Sequence, residues 1–420
     1  MHSHYDAIII GDSLAGRIAG TQLTRSGCRV LTLEEGLAIS PAWFTSSLQL
    51  ENLLDQLSGR SCLTTPPTFQ VITPSARVEI CSRHPLEEVL LREFPEDGHT
   101  LFELLTSLQK RGETLEKALF ESGRVPLKGL GGELRYRWRA LRNGLGLASG
   151  KKPFTGLLQS LSLTPAGNEF TQALFTGLSL TPYEQLSITE AALLWSSHAR
   201  EHGASASGLD TLLRQRYEQF HGQSEPLENL RQIDTTAQQV KQVVLKNGSS
   251  CTADAYLIAS TGQLPALSPQ VNQAGLRLPV PTSRVSTSAL QGAPSPLLAN
   301  RVILSGSPSL RLCFGKRGEE TLCAIDIPGG ATLPTAEQLQ SQLMPVLPFC
   351  RYALEMPKDY KHESNKAPQR NRLGQQTSVR LLRNALLCHG AGVFPSLGSS
   401  GEVLLGNALA QYVQSRRPKK

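Results

Sequence analysis

Between residues 11 and 16 the chain reads GDSLAG, and a carboxylate, Glu34, follows 23 residues after Gly11. A glycine at 11 allows a tight turn, and one at 16 allows a helix to pack closely against what precedes it. Free amide N–H groups at that helix start can then face a diphosphate. A carboxylate placed like Glu34 can accept from ribose hydroxyls. Gly11, Ser13, Leu14, Ala15, Gly16 and Glu34 are therefore candidates for holding a dinucleotide. Ser13 stands where such patterns usually have a second glycine, and its small hydroxyl can be accommodated or can donate to phosphate.

A second glycine-rich stretch, RNALLCHGAGVFPSLGSSGEVLLGNALAQYV, runs from Arg383 to Val413. An apolar strand runs into Gly390 and Gly392, and Gly398, Gly401 and Gly406 are what close contact between a helix and a ligand requires. A loop and a packed helix are the structural alternative. His389 and Cys388 beside the turn read as a backbone-satisfied histidine and a buried small hydrophobe. His198 and His202, four apart in HAREH, share a helical face that could bind metal. The stretch lacks the HExxH order and a third ligand, so a polar helix end is expected and no metal. No acid–base constellation stands out, and the catalytic residues remain unassigned at this level.

These residues need elements to position them. Tyr5–Ile10, with Ala7, Ile8, Ile9 and Ile10, is too apolar for a strand with one wet face. The spacing of Ala15, Ile18, Ala19 and Leu23 predicts a helix ending at Gly27, and residues 29–34 a second strand, so the opening is a βαβ unit. Residues 209–220 predict a helix, and Asn247-Gly248 a hairpin with a type I′ turn, with Val240, Val243 and Val244 before it and the strand YLIAS after it. TFQVITPSARVEI and LRLCFGKRGEETLCAIDI read as further hairpins, the second turning near Arg317-Gly318. Thr335 with Gln338 starts a helix through Leu343 by capping-box logic. Residues 129–146 read as an amphipathic basic helix, and Trp43, Phe44 and Trp195 as core.

Composition bounds the rest. A chain of 420 residues with 40% hydrophobic content can bury a sizeable core. No run of 18 apolar residues and no signal peptide is evident. The eight cysteines form no CxxC pair, which points to reduced thiols in the cytoplasm. The net charge of +7 is spread out, without interleaved basic and aromatic residues, so nucleic acid is not an expected partner. The terminal SRRPKK reads as a solvated end, or as a weak attraction to anionic lipid of about 1 kcal/mol per basic residue.

The order of these parts resembles the FAD-dependent phytoene desaturase and amine oxidase superfamily. In that family a GxGxxG strand–helix, a flavin-domain strand with an NG-like hairpin, and a C-terminal glycine helix near the isoalloxazine follow in this order. The resemblance implies an α/β fold, with a Rossmann-like FAD/NAD(P)-binding domain and a discontinuous α+β substrate domain. Residues 1–65, 205–265 and 380–420 would bind FAD, and 66–204 and 266–379 would form the substrate domain. It implies cofactor contacts from Gly11, Ser13, Leu14, Ala15, Gly16, Glu34, Leu230, Gly390, Gly398 and Gly401. It further implies an oxidoreductase acting on a small apolar, isoprenoid-like substrate by hydride transfer or flavin-assisted isomerisation, with peripheral contact to a membrane.

Three departures bear on that cofactor. Ser13 replaces a glycine, no Lys or Arg occurs between Arg29 and Arg60, and Ala391 stands where the family has an aspartate. A diphosphate without a nearby cation loses charged hydrogen bonds worth about 1.5–3 kcal/mol each. Arg17 is a candidate replacement, with an ordinary exposed helix arginine as the alternative. Two functions follow: a flavoenzyme, or a non-catalytic descendant of the fold serving as a binding or assembly partner. An NAD(P)-dependent reductase leaves the C-terminal glycine helix without a role. For a flavoenzyme, Gly11→Val or Gly16→Val is expected to abolish flavin retention while leaving the chain folded.

Overall fold

β1 (His4–Ile10), α1 (Leu14–Arg25) and β2 (Val30–Glu34) form the βαβ unit the sequence predicts. The structure, a computed structural model, describes residues 4–36, 43–66, 68–81, 84–122, 152–260, 283–292, 294–329, 333–356 and 379–416. Ser13 caps α1, its hydroxyl accepting from the Gly16 N–H. Gly27, at φ 77°, turns the chain after the helix, and a side chain there would be strained.

β1 is central to a seven-stranded sheet. Gln223–Pro226, β2, β1, Ser250–Ile258 and Ala385–Leu387 run parallel. The start of Ser250–Ile258 instead pairs antiparallel with Val240–Leu245, which continues to Leu230–Thr235. Ile8, Ile9 and Ile10 are all fully buried, because α1 covers one face of β1 and the antiparallel strands cover the other. That explains an apolar run where a half-wet strand would alternate.

The expected hairpin at Asn247-Gly248 is present, but its turn is not type I′. Only Gly248 has a positive φ, 82°, and its N–H bonds the Leu245 carbonyl at 3.0 Å. The Asn247 side chain accepts from Ser249 instead, so a type I turn followed by a left-handed glycine closes the loop. The helix expected from Leu209 begins earlier, at Ala206, because Ser205 caps it through Gly208.

A second sheet runs in the order Leu354–Glu355, Ser283–Thr287, Glu320–Ile327, Leu310–Arg317, Arg301–Leu304, Phe69–Ile72, Arg77–Ile80. It contains both hairpins read from the sequence. Thr335 and Gln338 form the predicted capping box of helix Ala336–Leu343. Leu339 and Leu343 of that helix share a core with Leu310, Leu312 and Ile325 on one face of the sheet. The other face meets a helical layer, where the absence of a side chain at Gly177 lets helix Pro165–Ser179 close on Ile303. Trp43, Phe44 and Trp195 are buried. The expected amphipathic helix at 129–146 lies outside the described residues.

Candidate functional site

The carboxyl ends of four parallel strands converge at the start of α1. The Gly11 N–H bonds Leu33, the Ala259 N–H bonds Ile10, and the Cys388 N–H bonds Ile258, at 2.7–2.8 Å. This edge is where ligands sit in open α/β sheets. The structure brings Gly11, Ser13, Leu14, Ala15, Gly16, Glu34 and Gly390 to it, through the ends of β1, β2 and Ala385–Leu387 and the starts of the helices that follow. Leu230 comes four residues after Pro226, the register partner of Glu34. It is half-buried at the start of Leu230–Thr235, against the cluster containing Ile8, Ile10, Leu31 and Leu33, which covers the face of β1 away from α1.

Gly11, Gly16, Gly401 and Gly406 each lie against protein atoms. At Gly11 (φ 95°) a Cβ would lie 2.2 Å from the Ser260 nitrogen, and at Gly16 2.6 Å from the Ala259 Cβ. Gly11→Val and Gly16→Val would therefore drive the strand ends apart, and the sequence expectation of an intact fold in those variants is corrected. Gly401 packs under Phe394, and Gly406 lies against the Ala15 carbonyl, where the C-terminal helix Gly398–Arg416 crosses α1. Gly398 turns at φ 53° into that helix.

The Ser13, Ala15 and Gly16 N–H groups at the start of α1 already have partners. Ser13 N–H bonds the Ala259 carbonyl at 3.2 Å, Gly16 N–H bonds the Ser13 hydroxyl at 3.2 Å, and that hydroxyl donates to the Cys388 carbonyl at 2.8 Å. The Ala15 N–H donates to the carboxylate of Glu402 at 3.0 Å. Glu402 reaches this place because Gly390 has no side chain: a Cβ there would lie 2.6–2.7 Å from its N, Cα and Cδ. His389 takes an N–H from Gly392 on Nδ1, so the neutral ring carries its proton on Nε2, 3.9 Å from Glu402. Burial, with Glu402 adding to it, holds the Cys388 thiol well above the usual range, so it is an inert core group, as its sequence context predicted.

Arg17 is not an exposed arginine. It donates to the Asp12 carbonyl and carboxylate at 2.8 Å and pairs with Asp210, with 8% of its side chain exposed. Asp12 also accepts from the Gly36 N–H, and Glu35 from the Ser260 hydroxyl. One oxygen each of Asp12 and Glu35 is buried without a hydrogen-bond partner. Glu34 accepts from the Ser224 hydroxyl at 2.7 Å. The edge is thus short of donors rather than acceptors. Sequence reasoning passed over Asp12, Glu35 and Glu402, although Glu402 is the only acidic residue after Arg383.

At the start of the C-terminal helix, Leu397 and Ser400 line a cavity of about 20 Å³ with Ser47, Gln49 and Glu116. That is room for a single water. Arg200, held by Glu51 at 2.7 Å, stands 3.6 Å from Glu116.

A second polar cluster lies on the inner face of the other sheet. Asp326 accepts from Arg284 at 2.7 Å and Arg311 at 2.9 Å. Burial raises its carboxyl pKa, and the two guanidinium groups outweigh that, leaving it below the usual range. Arg311 and Arg301 stand 5.3 and 5.9 Å over the Trp43 ring. His198 is enclosed nearby, its pKa lowered to about 4 by burial, with Arg301 and Arg311 adding to the effect and the Leu194 hydrogen bond opposing it. Its Nδ1–H bonds the Leu194 carbonyl at 2.8 Å, and no metal-binding group occurs among the described residues.

No protein-family model matches the sequence, and no curated protein matches it. Solved structures share its fold. A cyclohexylamine oxidase from Brevibacterium oxydans is 14% identical, over 98% of this chain and 99% of that one, with a TM-score of 0.54. Putrescine oxidase bound to putrescine is 14% identical over the same shares, at 0.55. An oxidoreductase from Methanosarcina mazei is 11% identical, over 98% of this chain and 100% of that one, at 0.55. The chain therefore has the mixed α/β fold of these oxidases.

Proposed function

We propose that this chain is an FAD-dependent oxidoreductase acting on a small molecule, built on the amine oxidase fold. The observation that carries the reading is the junction of β1, α1 and β2 with the C-terminal glycine helix, within a fold shared with oxidases along nearly the whole chain. FAD, when bound, supplies the hydride chemistry itself, so few acid–base residues are needed from the protein. Gly11, Ser13, Leu14, Ala15, Gly16, Glu34, Leu230, Gly390, Gly398 and Gly401 are the proposed cofactor contacts. Residues 1–65, 205–265 and 380–420 are the proposed FAD-binding part, and the remainder the substrate part.

The residues present fit one end of this cofactor and not its middle. Glu34 at the end of β2 suits a ribose. The α1 start does not suit a diphosphate, because Glu402 occupies the Ala15 N–H and the buried orphan atoms of Asp12 and Glu35 are acceptors, like the phosphate oxygens. A second reading, a non-catalytic binding or assembly partner, is favoured by that same set of carboxylates. Absorbance of the purified protein, before and after incubation with FAD, separates the two. Bands of bound flavin support the enzyme; a colourless protein that takes up no FAD supports the partner.

The substrate is a small molecule. An apolar, isoprenoid-like one is the finer proposal drawn from the likeness to phytoene desaturases, and Arg301, Arg311 and Asp326 on the inner face speak for a more polar one. No helix among the described residues is long and apolar enough to cross a membrane. The free thiols of all eight cysteines support a reducing, cytoplasmic location, and membrane contact is proposed only at the periphery.

A further inference from the structure

We propose that Glu402 is a built-in stopper of the dinucleotide site: its carboxylate takes the place of a phosphate at the start of α1 and must leave before a diphosphate can bind. The inference rests on reading α1 as the phosphate end of that site.

Four observations lead there. The first-turn N–H of Ala15, which an external anion would use, is bonded to Glu402 at 3.0 Å. The remaining first-turn donors described above end on Ser13 and Ala259, within the chain. Glu402 is seated by close packing, since its main chain and carboxyl carbon fill the space a side chain at Gly390 would need. The surrounding charge also opposes an incoming anion. Asp12 and Glu35 each bury an unpartnered oxygen, and the nearby guanidinium of Arg17 is held by Asp12 and Asp210. A phosphate approaching Ala15 with Glu402 in place meets a carboxylate at contact distance, with low-dielectric surroundings to strengthen the repulsion.

Displacing Glu402 removes one negative charge and frees one donor in the same movement. The carboxylate has somewhere to go, because the Nε2–H of His389 already lies 3.9 Å from its other oxygen.

The test uses the full chain, unaltered and as Glu402→Ala and Glu402→Gln, with ADP followed by calorimetry and FAD by flavin fluorescence. Glu402→Ala is expected to bind ADP at least tenfold more tightly than the unaltered chain. Glu402→Gln, which keeps the bulk and drops the charge, is expected to gain less in the same direction, and it carries the test if the alanine variant does not fold. Equal ADP affinity in all three chains, or no binding by any, overturns the proposal. A variant that gains ADP binding but takes up no FAD supports the stopper and sinks the flavin reading. An unaltered chain that holds a full equivalent of FAD, unchanged by either substitution, overturns the stopper and leaves the flavin reading standing.

Discussion

The backbone N–H of Ala15 and the carboxylate of Glu402, 387 residues apart in sequence, are joined by a 3.0 Å hydrogen bond. Through it the C-terminal helix closes the open end of the first one. The two glycine-rich helices therefore hold each other here. The bond satisfies a helix N-terminal donor with a negative charge, an arrangement worth about 0.3–1 kcal/mol at an exposed site and up to about 2 where partly buried.

The crossing of these helices depends on Gly406. A Cβ there would lie 2.7 Å from the Ala15 carbonyl oxygen and 2.9 Å from the Ile18 Cβ. Gly406→Ala gains about 1 kcal/mol in helix propensity and forces backbone to move, which costs about 1–3 kcal/mol. The backbone contact decides the sign, so a net loss of stability is expected in urea denaturation. Asn407→Ala on the same helix, with the propensity gain and no such contact, serves as the control. Equal stability of the two variants would show that the helices are not in close contact.

Arg17 is the cation that pairs with buried Asp12, while Asp210 also has Arg214 at 3.6 Å. Arg17→Met leaves Asp12 buried without its partner, and breaking such a pair costs about 3–5 kcal/mol. Adding Asp12→Asn should recover part of that loss, because the uncompensated charge is then gone. Guanidinium denaturation of both single variants and the double variant measures the coupling. A single-variant loss below about 1 kcal/mol would place Arg17 at the surface.

His198 makes stability fall on the acid side. Its pKa is lowered to about 4 in the folded chain, against about 6.5 for an unperturbed histidine. The unfolded chain therefore binds a proton first. The stabilising contribution is complete above about pH 6.5, shrinks as pH falls, and stops changing below about pH 4. The shift corresponds to at most about 3 kcal/mol. Denaturation midpoints from pH 7 to pH 4 should show this slope, and His198→Gln should flatten it. An unchanged slope in the variant would assign the acid sensitivity to other groups.

Several features of this fold were legible because they are local. The apolar run of β1, the glycine turn, the acid at the end of β2 and the capping box at Thr335 each follow from residues a few positions apart. The hairpin at Asn247-Gly248 was legible in place but not in turn type, since both residues tolerate positive φ and only the strand register decides which of them uses it. Arg17 read as an exposed helix residue or a phosphate ligand until the fold brought Asp210 from a distant helix beside it.

Sequence alone determined the βαβ unit and the glycine helix, because hydrophobic period and backbone freedom are written in neighbouring residues. Tertiary structure decided what those glycines are for and what occupies the start of α1. A glycine makes close approach possible without naming the atom that approaches. Here the atoms are Ser260 at Gly11, Ala259 at Gly16, and Glu402 at Gly390. The charge of a site is likewise a sum over residues far apart in the chain, and only the fold could bring Asp12, Glu35 and Glu402 to one sheet edge.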